Sequence, residues 1–155
     1  MLFVPRGFES RANTKPYSVQ YRASQTSAGR PPGIAKLEEG RFHVWRCGAL
    51  GTFLPTASAI LVSREFASAL AAETKAGWRL REVTIRDPPN SEIAGYVELV
   101  VEQAIEPHAL PPDVSGKQVW RYGLNHLFVS RELATVLSPR FPDLFWSLGF
   151  SWFAG

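Results

Sequence analysis

One stretch of this chain occurs twice. Ile60-Leu-Val-Ser-Arg-Glu-Phe-Ala-Ser-Ala-Leu70 returns as Leu127-Phe-Val-Ser-Arg-Glu-Leu-Ala-Thr-Val-Leu137, with Val-Ser-Arg-Glu whole in both. A shorter echo precedes each copy, Val44-Trp-Arg-Cys-Gly48 and Val119-Trp-Arg-Tyr-Gly123. In each long copy a short apolar run, suited to a buried strand, leads into a serine and then into an apolar stripe at helical spacing. The stripes are Phe66, Ala69 and Leu70 in the first copy and Leu133, Val136 and Leu137 in the second. Ser63 and Ser130 stand where an N-cap belongs, because a hydroxyl oxygen there can accept a bond from a free N–H of the first turn. Glu65 and Glu132 put an acid in that turn, which favours the helix dipole. Aromatic strand residues follow each helix, Trp78 in one copy and Phe145-Trp146 in the other. Two units are too few for a solenoid. The expectation is a single α+β domain with two similar strand-strand-helix-strand halves around a mixed or antiparallel sheet.

Between the copies, Gly77 is expected to end the first helix. Trp78 to Ile85 reads as a strand whose apolar face changes side, so a bulge is expected near Arg81-Glu82. Gly95 to Gln103 alternates: Val97, Leu99 and Val101 on one side, Tyr96, Glu98 and Glu102 on the other. That pattern predicts a strand with one wet face.

Residues 1–40 are rich in Ser, Gly, Pro and Arg and have little apolar periodicity, apart from one short strand at Tyr17 to Tyr21. They read as a basic arm, and residues 41–155 as the α+β domain. The net charge of +3 divides unevenly: residues 1–46 sum to +5 and residues 47–155 to −2. A mildly acidic body suits a basic protein surface better than nucleic acid, which calls for clustered cations among stacking aromatics. One cysteine, Cys47, excludes a disulfide within the chain and fits a reducing compartment. The opening residues do not form a signal peptide, and no apolar run approaches the roughly 20 residues that span a bilayer. A cytoplasmic location with no membrane partner is the expectation.

The search for chemistry returns little. His43, His108 and His126 lack the spacing of a zinc site, so no metal and no cofactor are expected. No G-x-S-x-G, P-loop or G-x-G-x-x-G occurs. Cys47 has no base placed for it by the sequence and reads as a buried bystander. No catalytic residue is assigned. The alternative to a binding role is an enzyme site assembled from dispersed residues such as Arg46, His126 and Glu98; a pocket joining the three would favour it.

A protein-binding role therefore leads, and its candidate contacts are the wet face of the middle strand (Tyr96, Glu98, Glu102) and the aromatic tail. Phe145 to Gly155 holds five aromatics, with Trp146, Leu148, Phe150 and Trp152 on one face and Phe145 with Phe153 on the other. A terminal strand buried on both sides accounts for that composition, and a partner patch that includes Trp152 and Phe153 is the functional reading.

The Trp-Arg-x-Gly strands, the Leu61-Val-Ser-Arg-Glu65 helix start and Tyr96-Val-Glu-Leu-Val-Val101 resemble a bacterial family: immunity proteins encoded beside polymorphic toxins, including the double-CXXCG type of myxobacteria. The resemblance covers about residues 42–150, with the Pro111-Pro-Asp113 turn. It implies stoichiometric inhibition of a cognate toxin by binding. Cys47-Gly48 stands where half of the first cysteine pair would be, Val44 where its partner would be, and the second copy has no cysteine. The family's metal site is not carried over.

Overall fold

The computed structural model describes residues 20–25, 29–106 and 116–148. Within them the chain is α+β and mostly β. The elements in order are β1 (Gln20–Gln25), β2 (Gly33–Glu38), β3 (Arg41–Arg46), β4 (Phe53–Thr56), β5 (Ala59–Ser63), α1 (Arg64–Glu73), β6 (Trp78–Glu82), β7 (Thr84–Asp87), β8 (Ser91–Glu92), β9 (Tyr96–Val101), β10 (Val119–Tyr122), β11 (His126–Ser130), α2 (Arg131–Leu137) and β12 (Leu144–Leu148).

These strands form three four-stranded sheets where a single sheet was expected. An outer sheet has the order β2-β3-β7-β8, a middle sheet β4-β5-β9-β6 and a far sheet β10-β11-β1-β12. The middle and far sheets pair antiparallel throughout. The outer sheet is mixed, since β3 and β7 run parallel. The reason for a third layer lies in β5, which is apolar on both faces. Ile60 and Val62 join a core shared with both helices and the far sheet, including Phe66, Leu70, Val129, Leu133 and Trp146. Ala59 and Leu61 face the other way, against Ile34, Phe42, Val44 and Ile85 of the outer sheet. Each buried aliphatic or aromatic side chain contributes about 1.5–3 kcal/mol, so leaving either face bare would be costly.

Three expectations change in consequence. The strand expected over Trp78 to Ile85 has no bulge at Arg81-Glu82. It breaks at Val83, where the chain leaves the middle sheet (β6 beside β9) for the outer sheet (β7 beside β3). The apolar face changes side because the sheet changes. Next, the strand β9 has no wet face along most of its length: Tyr96 packs on the outer-sheet core and Glu98 is buried. Finally, α1 ends before Gly77, at Glu73, where the Thr74 N–H bonds the Leu70 carbonyl. Gly77, at φ +85°, instead turns the chain into β6.

The segment read as an arm supplies two strands, β1 and β2. β1 is an interior strand of the far sheet, paired with β11 on one side and β12 on the other. It carries little apolar sequence because only Ala23 of its described side chains enters the core. Most of the segment expected to form a short strand at Tyr17 to Tyr21 lies outside the described residues.

Candidate functional site

The residues singled out in the sequence do not form one surface. Glu98, expected to be exposed, is 7 % exposed and lies 3.3 Å from the Arg81 guanidinium. Arg81 also meets Glu39, which in turn holds Lys36, so the charges run from the β2–β3 turn across to β9. Those cations hold the Glu39 carboxyl below its ordinary value, chiefly through the Lys36 hydrogen bond. Glu102 is exposed, but its expected companion on the strand is buried. The Tyr96 hydroxyl donates to the Gly51 carbonyl at 2.6 Å, so its polar end is occupied. Trp152 and Phe153 lie outside the described residues, as does His108. Phe145 is exposed, while Trp146 is buried in the main core.

The dispersed enzyme site does not assemble. Arg46 lines one groove, His126 lines a separate cavity of about 150 Å³ with Gln25, and Glu98 lines neither. Cys47 is exposed, not buried, because it follows the last residue of β3 where the chain leaves the sheet. A polar cleft of about 510 Å³ lies at the start of α1, lined by Arg64, Arg140 and Asp143 among others. Two of its charges serve the fold: Arg64 pairs with Glu82, and Asp143 accepts from the Thr52 N–H and hydroxyl at 2.8 and 2.7 Å. Among the described residues no group of three or more His, Cys, Asp and Glu side chains is placed to hold a metal. No helix among them is long and apolar enough to cross a membrane.

What the structure does assemble is a groove of about 630 Å³ between the β2–β3 edge, the β4–β5 turn and the β10–β11 turn. Trp45 is its principal side chain and is 60 % exposed. Phe42 and Val44 of β3 point into the outer-sheet core, which sends Trp45 to the opposite face. There the indole lies on Gly33 of β2. A Cβ at Gly33 would meet the ring at 2.6 Å, so only glycine allows this close seat. The Arg46 guanidinium carbon sits 5.0 Å from the Trp45 ring centroid, in cation–π range, and the same group donates to the Pro31 carbonyl at 3.0 Å. Pro31, Pro32 and Pro55 supply stiff apolar walls.

Sequence reasoning passed over Trp45 because it aligned with Trp120 in the echo. A usable signal was nonetheless there: Trp45 shares the His43 side of the alternation, opposite Phe42 and Val44. The groove also reverses the expected charge. Its charged lining residues are Lys36 and Arg46, and no carboxylate lines it. No known protein family, curated protein or solved structure matches the chain.

Proposed function

We propose that this protein acts by binding another protein through the Trp45 groove, and that it does so as a stoichiometric inhibitor of a cognate bacterial toxin. The observation that carries the binding reading is an open groove whose centre is a largely exposed tryptophan, fixed in place by Gly33 and Arg46. Trp and Arg dominate interface hot spots, and a pre-positioned ring loses little conformational entropy when a partner covers it. The toxin as partner class comes from the resemblance of the repeated motifs to immunity proteins. An inhibitor of this kind needs a complementary surface and no reacting groups, in keeping with the scattering of Arg46, His126 and Glu98.

The scaffold that presents the groove is read here as two related halves. In the middle sheet, β4, β5, α1 and β6 close around β9; in the far sheet, β10, β11, α2 and β12 close around β1. Both sheet orders place the inserted strand between the strand before the helix and the strand after it. The difference is where the inserted strand comes from: β9 follows its half, and β1 precedes both.

The test is a pull-down of the tagged protein from native lysate at high salt, run beside Trp45→Ala. A single toxin-domain partner retained near equal stoichiometry by the wild type, and lost from W45A, is the expected result. Retention that is indifferent to Trp45 would move the interface elsewhere. No retention, with the candidate toxin shown to be expressed, would end the inhibitor reading.

A further inference from the structure

Resting on that binding reading, we propose that the segment seated in the Trp45 groove is an acidic, aromatic-bearing loop of the partner protein. Charge carries the assignment. Two cations line the groove without a carboxylate. Lys36 is already neutralised by Glu39 at 2.6 Å. Arg46 is not: among the described residues its side chain makes no ion pair. One guanidinium N–H is used on Pro31, and Nε is buried with no hydrogen-bond partner.

A buried donor left unmade is costly, and the remaining guanidinium donors form a fork suited to a carboxylate. Nε itself is closed to a partner, but a carboxylate brought to the accessible end of the guanidinium supplies the missing counter-charge and accepts from the donors that remain there. Beside it, the open face of Trp45 and the walls of Pro31, Pro32 and Pro55 take an apolar ring, which explains the aromatic half of the assignment. Ile34 offers little for backbone pairing, because its carbonyl already accepts from Thr56 Oγ1 at 3.0 Å. Recognition here is by side chains. A single-stranded nucleic acid would also stack on Trp45, but tracking its backbone requires several unpaired cations in a row. This groove offers one, Arg46.

Selection of a phage-displayed library of random twelve-residue peptides on the intact protein, with Arg46→Gln as the counter-selection target, tests this directly. The expected winners combine Asp or Glu with Trp, Tyr, Phe or Pro. As synthetic peptides they should lose at least tenfold in affinity for R46Q and for W45A. Because R46Q also removes the bond to Pro31, Ala57→Glu provides a second variant. Ala57 is exposed in the β4–β5 turn and lines the groove, so its carboxylate should repel the same peptides at least tenfold with the melting temperature unchanged.

Winners lacking acidic residues, winners indifferent to R46Q and A57E, or no enrichment at all would overturn the assignment. So would displacement of the winners by a nine-nucleotide oligothymidylate at lower concentration than by unlabelled peptide. These failures are separable from failure of the inhibitor reading. A partner retained through Trp45 whose binding the peptides do not compete leaves the interface standing and removes only its acidic specificity.

Discussion

At the first Val-Ser-Arg-Glu junction Ser63 caps its helix, its Oγ accepting from the Phe66 N–H at 3.1 Å. At the second junction Ser130 makes no cap; its Oγ accepts instead from the Gln118 N–H at 3.0 Å. The backbone around the two serines is alike. Ser63 N–H bonds the Thr52 carbonyl and Ser130 N–H bonds the Gln118 carbonyl, at 2.8 and 2.9 Å. The difference lies one atom further on. Thr52 N–H is taken by the Asp143 carboxylate, which leaves Ser63 free for the helix. Gln118 N–H is taken by the serine itself. The first helix, capped, runs ten residues and the second runs seven before tightening into a 3-10 turn at Ser138–Arg140. Identical residues take different bonds because the competing donor beside them is served by a carboxylate in one place and by the serine in the other.

The core positions of the two helices test the comparison with the largest effects. Phe66 and Leu133 occupy the same place in the repeat and are both fully buried. Phe66 also meets Phe53 and Phe141 edge-on, each at 5.1 Å between ring centroids, so it ties α1 to β4 and to the segment before β12. Phe66→Ala should cost about 4 kcal/mol and Leu133→Ala about 3 kcal/mol. Urea midpoints at constant slope would read the difference. Equal losses would mean that the aromatic contacts contribute nothing beyond burial.

Next come the competing bonds. Asp143→Ala removes two charge-assisted bonds and should cost about 2 kcal/mol. Ser130→Ala leaves the Gln118 N–H without its acceptor and should cost about 1.5 kcal/mol. Ser63→Ala loses only a cap, about 1 kcal/mol. The sharper outcome is a coupling. With Asp143 gone, Ser63 should turn to the Thr52 N–H as Ser130 does to Gln118, and the Phe66 amide should lose hydrogen-exchange protection. The double mutant D143A/S63A should then depart from additivity by at least about 0.5 kcal/mol. Strict additivity, with Phe66 protection intact, would break the explanation of why the junctions differ.

Much of the secondary structure could be read along the chain, and the limits are instructive. The Ser63 cap and the buried stripe Phe66, Ala69 and Leu70 follow from local spacing, which is what a helix start depends on. Ser130 did not follow, because its bond goes to the Gln118 N–H, a donor that local spacing around the serine does not bring into view. The Val-Trp-Arg echo misled. β10 pairs directly with β11, whereas β5 pairs with β4 and β9, and β3 belongs to the outer sheet. Trp120 is therefore buried and Trp45 exposed. Glu98 was misplaced for the same reason: alternation reports that a strand has two faces and does not reveal that another sheet will cover the second one. β1 was nearly invisible, since a strand can hold an interior position through its backbone bonds, and of its described side chains only Ala23 enters the core.

Tyr96 gives the smallest effect and the most specific one. In the middle sheet it stands opposite Ser63; in the far sheet the residue opposite Ser130 is Gln20, which has no phenol to offer. Tyr96→Phe loses the bond to the Gly51 carbonyl and should cost about 1 kcal/mol near neutral pH. Burial, and then the negative charge of Asp143, push the Tyr96 phenol above its ordinary value. Between that ordinary value, about 10, and the raised one, the folded protein keeps a proton that the unfolded chain has released. This contribution to stability is intact below about pH 10 and is lost as pH rises through the folded value. Melting temperatures at about pH 8 and about pH 11 should converge between wild type and Y96F, since the variant has no phenol to ionise and loses less on the alkaline side. D143A should narrow the wild-type loss as well, by removing one cause of the raised value. Parallel losses in all three proteins would place the alkaline transition on another group and leave Tyr96 with its hydrogen bond alone.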